Sequence, residues 1–194
     1  MEHQITNMST MKFAKITQII LGIVMTSNLD VSAQQYISRN VNVSFLSETL
    51  IENIIAENNQ SSSVLDMSNG SIAFQVPIRA FHFDRALMEE HFNENYMETE
   101  SFPNSTFRGN IKNWTDDFAN GETHDIIASG ILTIHGVENE VSALGTILFE
   151  ESSWTLNSVF HVDAEDYDIK IPKIVRDNIA SFIEITIHAS LSPR

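Results

Sequence analysis

From residue 39 onward, apolar and polar positions alternate with a period of two in one segment after another, the pattern of strands with one buried face. Val41, Val43 and Phe45 share one side of residues 39–49, and Ile72, Phe74, Val76 and Ile78 share one side of residues 72–81. Residues 104–112 alternate around Phe107 and Ile111, and residues 154–162 place Trp154, Leu156, Phe160 and Val162 together. Residues 179–191 set Ile183, Ile185, Ile187 and Ala189 against Glu184, Thr186 and His188. Residues 51–56 alternate less cleanly, the serines 61–63 read as a polar break, and residues 64–67 read as a short separate strand. Pro77 has no N–H to give a ladder, so it marks an edge or a bulge within its strand.

Residues 128–149 carry the clearest hairpin. Ala128, Gly130, Leu132 and Ile134 face one way on the first arm, and Val141, Ala143, Gly145, Ile147 and Phe149 on the second. The reversal falls in residues 135–139, where Gly136 and Asn139 accept positive φ. Glycine inside a strand marks a bend, a bulge or a close approach, and together with the alanines it reads as the low-volume wall of a bore. Residues 84–92 break the alternation. Asp84 suits a cap and Ala86 to Glu90 are helix formers, which predicts a short helix there and a second turn near residues 96–101. Pro103 ends that segment, and a helical turn is expected over residues 173–178 after Pro172. The expected fold is all-β and mainly antiparallel: roughly eight strands closing into one barrel, with a short helical insertion after the fourth strand.

The N-terminal segment has a different grammar. Met11 to Lys15 is a short basic start, residues 16–25 are apolar, and Val31-Ser32-Ala33 resembles a processing site. This is the layout of a secretory signal peptide cleaved after Ala33, with Met11 as an alternative start. The apolar run is too short to span a bilayer as a helix. The expected organisation is therefore a signal peptide over 1–33 and one barrel domain over 34–194.

Composition narrows the function. The 194 residues carry 11 basic and 26 acidic side chains, formally −15, which over the average surface opposes binding to nucleic-acid phosphates and to anionic membrane surfaces. There is no cysteine, hence no disulfide and no thiolate chemistry. His82, His91, His124, His135, His161 and His188 show no zinc-site spacing, and Glu89-Glu90-His91 lacks the second histidine of a zinc-protease helix. The acidic run Asp163, Glu165, Asp166, Asp168 lacks the glycine and terminal glutamate of a calcium loop. No nucleophile elbow and no glycine-rich phosphate cradle occurs. No catalytic residue, metal ligand or cofactor is expected. Lys170, Lys173 and Arg176 form a basic island that would either meet an anionic head group at a barrel mouth or neutralise the acidic run beside it.

Three stretches resemble the YceI-like family of lipocalin-like proteins. One runs from Met88 through Met97 to Phe102-Pro103-Asn104-Ser105-Thr106-Phe107, as helix and following strand. The second is Gly130-Ile131-Leu132-Thr133-Ile134-His135-Gly136-Val137, and the third is Asp166-Tyr167-Asp168-Ile169 with Lys170-Ile171-Pro172. The resemblance implies an extended eight-stranded barrel with an elongated apolar bore, an exported bacterial protein (periplasmic or secreted), and binding of a long isoprenoid or other amphiphilic lipid without catalysis. The family supplies no catalytic residues to carry over. The candidate bore positions therefore come from alternation: Val43, Phe45, Phe74, Val76, Ile78, Leu132 and Phe160, with Lys170, Lys173 and Arg176 as candidate head-group contacts. Two other classes compete. A solidly packed structural or interaction barrel would need bulky residues at every inward position, and a metal-dependent hydrolase would need histidines to converge on the acidic run.

Overall fold

The computed structural model describes residues 35–194; the expected signal peptide and its cleavage site lie outside the described residues. The chain forms β1 (Gln35–Glu48), β2 (Asn53–Asp66), β3 (Ser71–Pro77), the two-residue β4 (His82–Phe83), helix α1 (Ala86–His91), β5 (Asn104–Ile111), β6 (His124–Ile134), β7 (Val137–Glu150), β8 (Ser153–Asp163) and β9 (Phe182–Pro193). Eight strands, all but β4, form an antiparallel up-and-down barrel in which each strand pairs with the next, and β1 closes the ring against β9. β4 hangs on β2 as a ninth strand, with Ala56 opposite Phe83. The barrel and its single short helix are those expected from the alternation.

Four local readings are corrected. The serines 61–63 do not break the chain: β2 runs unbroken from Asn53 to Asp66 and absorbs the expected separate strand. Its buried Asn58 and Ser61 are tolerated because their hydrogen bonds are met inside the barrel. The Asn58 amide donates to the Pro77 carbonyl at 2.7 Å, and its oxygen accepts from the Gln60 N–H at 2.8 Å and the Ser61 hydroxyl at 3.1 Å. The β1–β2 register shifts opposite this cluster, between Ser38 and Val43. Second, β3 stops at Pro77, and Ile78 opens a 3-10 turn (Ile78–Ala80) instead of continuing the strand. Third, Asp84 does not cap α1; Arg85 occupies that position without a side-chain cap, and a π-type turn at Phe92–Tyr96 comes before the expected second turn, which lies over 98–101 where the Ser101 N–H donates to the Glu98 carbonyl at 2.8 Å.

The fourth concerns the hairpin. Its reversal needs only His135 and Gly136, both at positive φ (51° and 77°), while Asn139 already pairs with Leu132 in the ladder. Two positive-φ residues give the turn whose twist matches the flanking strands. Gly130 also has a different duty from the one expected. It lies directly opposite Gly109 of β5, and a Cβ on Gly130 would strike the Arg108 carbonyl oxygen. Gly130 lets two backbones approach; the wall of small residues facing inward is made by Ala128, Ala143 and Gly145.

The two ends of the barrel differ. At the end where β1 begins, the rings of Tyr36, Trp114, Phe149 and Trp154 pack with centroids 4.8–6.3 Å apart. Leu65, Trp154 and Leu191 are wholly buried there, and the Trp114 indole N–H donates to the Met67 carbonyl at 2.9 Å. This end is sealed. The opposite end carries the β1–β2 hairpin tip, β4, α1, the π-type turn, the His135–Gly136 reversal and the long connection 164–181 between β8 and β9.

Candidate functional site: an apolar cavity in the barrel

Inward alternation on eight strands would fill a small barrel if every inward side chain were large. Here the paired Ala128 and Ala143, with Gly145 beside them, leave one wall thin. The result is a cavity of about 550 Å³ that reaches from Ile72, Ile126 and Leu156 near the sealed end to α1 and the 164–181 connection at the other. That volume falls within the range typical of small-molecule sites.

The lining is nearly all hydrocarbon and ring. Ser158 spends its hydroxyl on the Leu144 carbonyl at 2.6 Å, and the Ser47 hydroxyl accepts from the Ala180 N–H at 2.9 Å. Burial raises the pKa of the Tyr167 phenol, and the Asp166 carboxylate adds to this while a hydrogen bond with Asn139 opposes it. Burial alone raises Tyr96. Both phenols are therefore neutral hydroxyls in the lining over the physiological range.

Near the mouth, Phe45, Phe81, Phe83 and Phe92 form one aromatic cluster with centroids 5.0–5.8 Å apart. Phe45 comes from β1, Phe81 and Phe83 from the bend after β3, and Phe92 from the end of the helical insertion. The only carboxylate in the lining, Glu52, is paired with Arg85 at the start of α1. His91 and Asn178 supply the remaining polar edge of the opening.

His135 holds the two covering segments together. Its Nδ1–H donates to the Tyr167 carbonyl at 3.2 Å, its Nε2 lies 3.7 Å from Glu98 Oε1, and its ring packs on Phe102 at 4.5 Å. The turn thereby ties the connection 164–181 to the segment after the helical insertion, and the histidine is a structural tie at the barrel end. The remaining histidines are scattered, and among the described residues no three metal-ligating side chains converge.

Val43, Phe45, Phe74, Val76, Ile78, Leu132 and Phe160 all line the cavity. Lys170, Lys173 and Arg176 do not: they are exposed on the outside of the 164–181 connection. Arg176 turns toward the acidic run, with Nη2 3.9 Å from Glu165 Oε1, and its Nε–H donates to the Ile171 carbonyl at 3.4 Å. Alternation missed Met88, Phe92, Ile169, Ile171, Val175 and Ile179, which line the mouth from helical turns and an irregular connection. Met88 and Phe92 lie in the segment that reads as a short helix, and Ile169, Ile171, Val175 and Ile179 are apolar residues spaced two to four apart, so neither group follows a period of two.

A closed up-and-down barrel around an apolar cavity places the protein in the lipocalin-like class. Residues 21–191 match the YceI-like domain, and the chain belongs to that family. No curated protein sequence is matched. Among solved structures, a polyisoprenoid-binding domain from Saccharophagus degradans, implicated in plant cell wall breakdown, is similar with a TM-score of 0.70 at 12% identity, over 82% of this chain and 98% of that one. Burkholderia cenocepacia BcnA is similar with a TM-score of 0.66 at 15% identity, over 78% and 96% of the two chains. The Campylobacter jejuni YceI protein is similar with a TM-score of 0.60 at 13% identity, over 76% and 88%. At these identities the likeness is one of fold.

Proposed function

We propose that this protein is an exported, non-catalytic carrier that holds the chain of a long isoprenoid or another amphiphilic lipid inside its barrel. The observation that carries this reading is the cavity itself: about 550 Å³, lined by apolar side chains, sealed at one end by packed rings. A solidly packed structural barrel would put bulk where Ala128 and Ala143 stand. Each methylene moved from water into such a bore contributes roughly 0.8 kcal/mol, so about ten of them give roughly −8 kcal/mol before association costs. The polyisoprenoid-binding relative supports an isoprenoid as the ligand class. The basic start, apolar run and Val31-Ser32-Ala33 support export.

The test is native mass spectrometry and organic extraction of protein purified from its own host, with N-terminal sequencing of the recovered chain. A stoichiometric apolar ligand on a chain beginning at Gln34 is the expected result. Repeated recovery of ligand-free protein, with no uptake of added long-chain lipid, would overturn the carrier reading.

A further inference from the structure

Resting on the lipid-carrier reading, we propose that the open end of the barrel docks on a bilayer surface, through an apolar rim made by Leu50, Ile51, Leu87, Ile174 and Phe182. These five are half of the large hydrophobic residues that stand exposed among the described residues. They come from three separate segments: the β1–β2 hairpin tip, α1, and the connection that leads into β9. Leu50, in the link between β1 and β2, is fully exposed, and Ile174, in a 3-10 turn (Lys173–Val175) of the connection between β8 and β9, is 91% exposed.

What joins them is the opening. Ile51 precedes Glu52, Leu87 precedes Met88, Ile174 precedes Val175 and Phe182 precedes Ile183, and every second member of these pairs lines the cavity. The lining residue turns in and its neighbour turns out, so the rim follows the mouth from segment to segment. Exposed apolar side chains gathered at one place mark a contact surface. Apolar side chains that project from a polar body are the means by which peripheral proteins seat in the head-group region.

Two further observations select a bilayer over a protein partner or a second copy. A cargo insoluble in water has to pass from the mouth straight into an apolar phase, and the rim stands where that transfer takes place. Lys170 and Lys173 flank Ile174 on the same connection, exposed and without an ion pair among the described residues, in a protein that is otherwise strongly acidic. There they meet the phosphates of head groups, while their stems lie along apolar surface. The basic island thus belongs to the outside of the mouth. A second exposed patch supplies the internal control: Ile127 and Leu144 are cross-strand partners on the barrel wall, away from the opening.

The experiment compares the wild-type protein, the double variant Leu50→Ser/Ile174→Ser and the wall variant Leu144→Ser. Vesicles of phosphatidylcholine with a minor share of phosphatidylglycerol, doped with a fluorescent polyene fatty acid, serve as the probe. Flotation reports docking, and the rate of probe transfer between donor and acceptor vesicles reports exchange at the mouth. The double variant is expected to lose about tenfold in both, the scale set by removing two large apolar side chains from an interface. Its melting transition should be unchanged, and the wall variant should match wild type. Equal flotation and transfer by all three proteins would overturn the docking surface, as would an equal loss in the wall variant. A concentration-dependent dimer abolished by the double variant would assign the rim to a second copy instead. Lipid content by native mass spectrometry keeps the two readings separate: protein that holds lipid while the rim variant exchanges it at the wild-type rate loses the docking proposal alone. Protein without lipid that still floats with vesicles loses the cargo reading alone.

Discussion

Both ends of this barrel are closed by aromatic rings, yet only one end is sealed. At the sealed end Tyr36 and Trp154 belong to strands with ladder partners on both sides, Phe149 pairs on one side only, and Trp114 comes from a loop pinned by its indole N–H. At the open end Phe81, Phe83 and Phe92 come from a bend, a two-residue strand and a π-type turn, with few ladder partners. Trp154 has no exposed surface, whereas Phe45, Phe83 and Phe92 are each partly exposed. Three of the four collar rings ride on irregular segments or a two-residue strand, Phe45 on β1 being the exception, whereas three of the four floor rings ride on long strands. The pull toward apolar packing is equal at both ends; what differs is how firmly the backbone beneath each ring is held.

That contrast can be broken by substitution. The largest effect is expected from Trp154→Ala, which removes the most buried ring of the floor. A loss of about 3–5 kcal/mol in urea unfolding follows from truncating a fully buried aromatic residue. The corresponding change in the collar, Phe92→Ala, should cost less, roughly 1–2 kcal/mol, because the ring is only partly removed from water. It should also speed the release of a bound fluorescent fatty acid, measured by stopped flow, while Trp154→Ala leaves the mouth unchanged. An equal stability loss at the two ends would erase the distinction between floor and collar.

Filling the space between them has a different signature. Ala143→Phe points a ring into the cavity. Stability should remain within about 1 kcal/mol of wild type, since overpacking is costly only where space is already filled. Lipid uptake should fall at least tenfold in a titration with the same probe. The smallest effect belongs to the β2–β3 turn at the sealed end. Hydrogen bonds from the Ser68 hydroxyl and N–H lower the pKa of Asp66. A carboxylate whose pKa is lower in the folded state than in the unfolded chain stabilises above the ordinary carboxylate pKa, and this contribution is lost as pH falls through the folded value. An NMR titration should show the lowered midpoint, and Asp66→Asn should flatten a slight decline in stability on acidification.

The fold was readable wherever burial and hydrogen bonding ask for the same pattern. β6 was legible from Ala128 onward, apart from the duty of Gly130, because Ala128, Leu132 and Ile134 turn inward and its outer face is mixed. β2 was not, because Asn58 and Ser61 are buried as hydrogen-bonded polar groups with Ser63 buried beside them, and period-two reading recognises burial only through apolar side chains. The cavity divides in the same way. Its strand-borne walls follow from alternation, while Met88, Phe92, Ile171 and Val175 come from segments whose course depends on tertiary contacts such as His135 to Tyr167. Lys170, Lys173 and Arg176 were visible as a cluster, but no pattern in the chain says whether a cluster faces into a mouth or away from it.

The seam between β1 and β9 has a consequence for how the chain can be cut and rejoined. Every other ladder of the barrel links strands consecutive around the chain's meander, and the seam alone brings its two extremes together. Its far end is fastened by the Arg194 N–H donating to the Gln35 carbonyl at 2.9 Å. Closing so distant a pair is the slow, entropically expensive step of a mainly local topology. A circular permutant that joins residue 194 to residue 35 by a short linker and opens the chain between Glu151 and Ser152 converts that seam into an ordinary hairpin. The long-range closure then passes to the β7–β8 ladder, with the new ends at the sealed pole, far from any lipid entering or leaving.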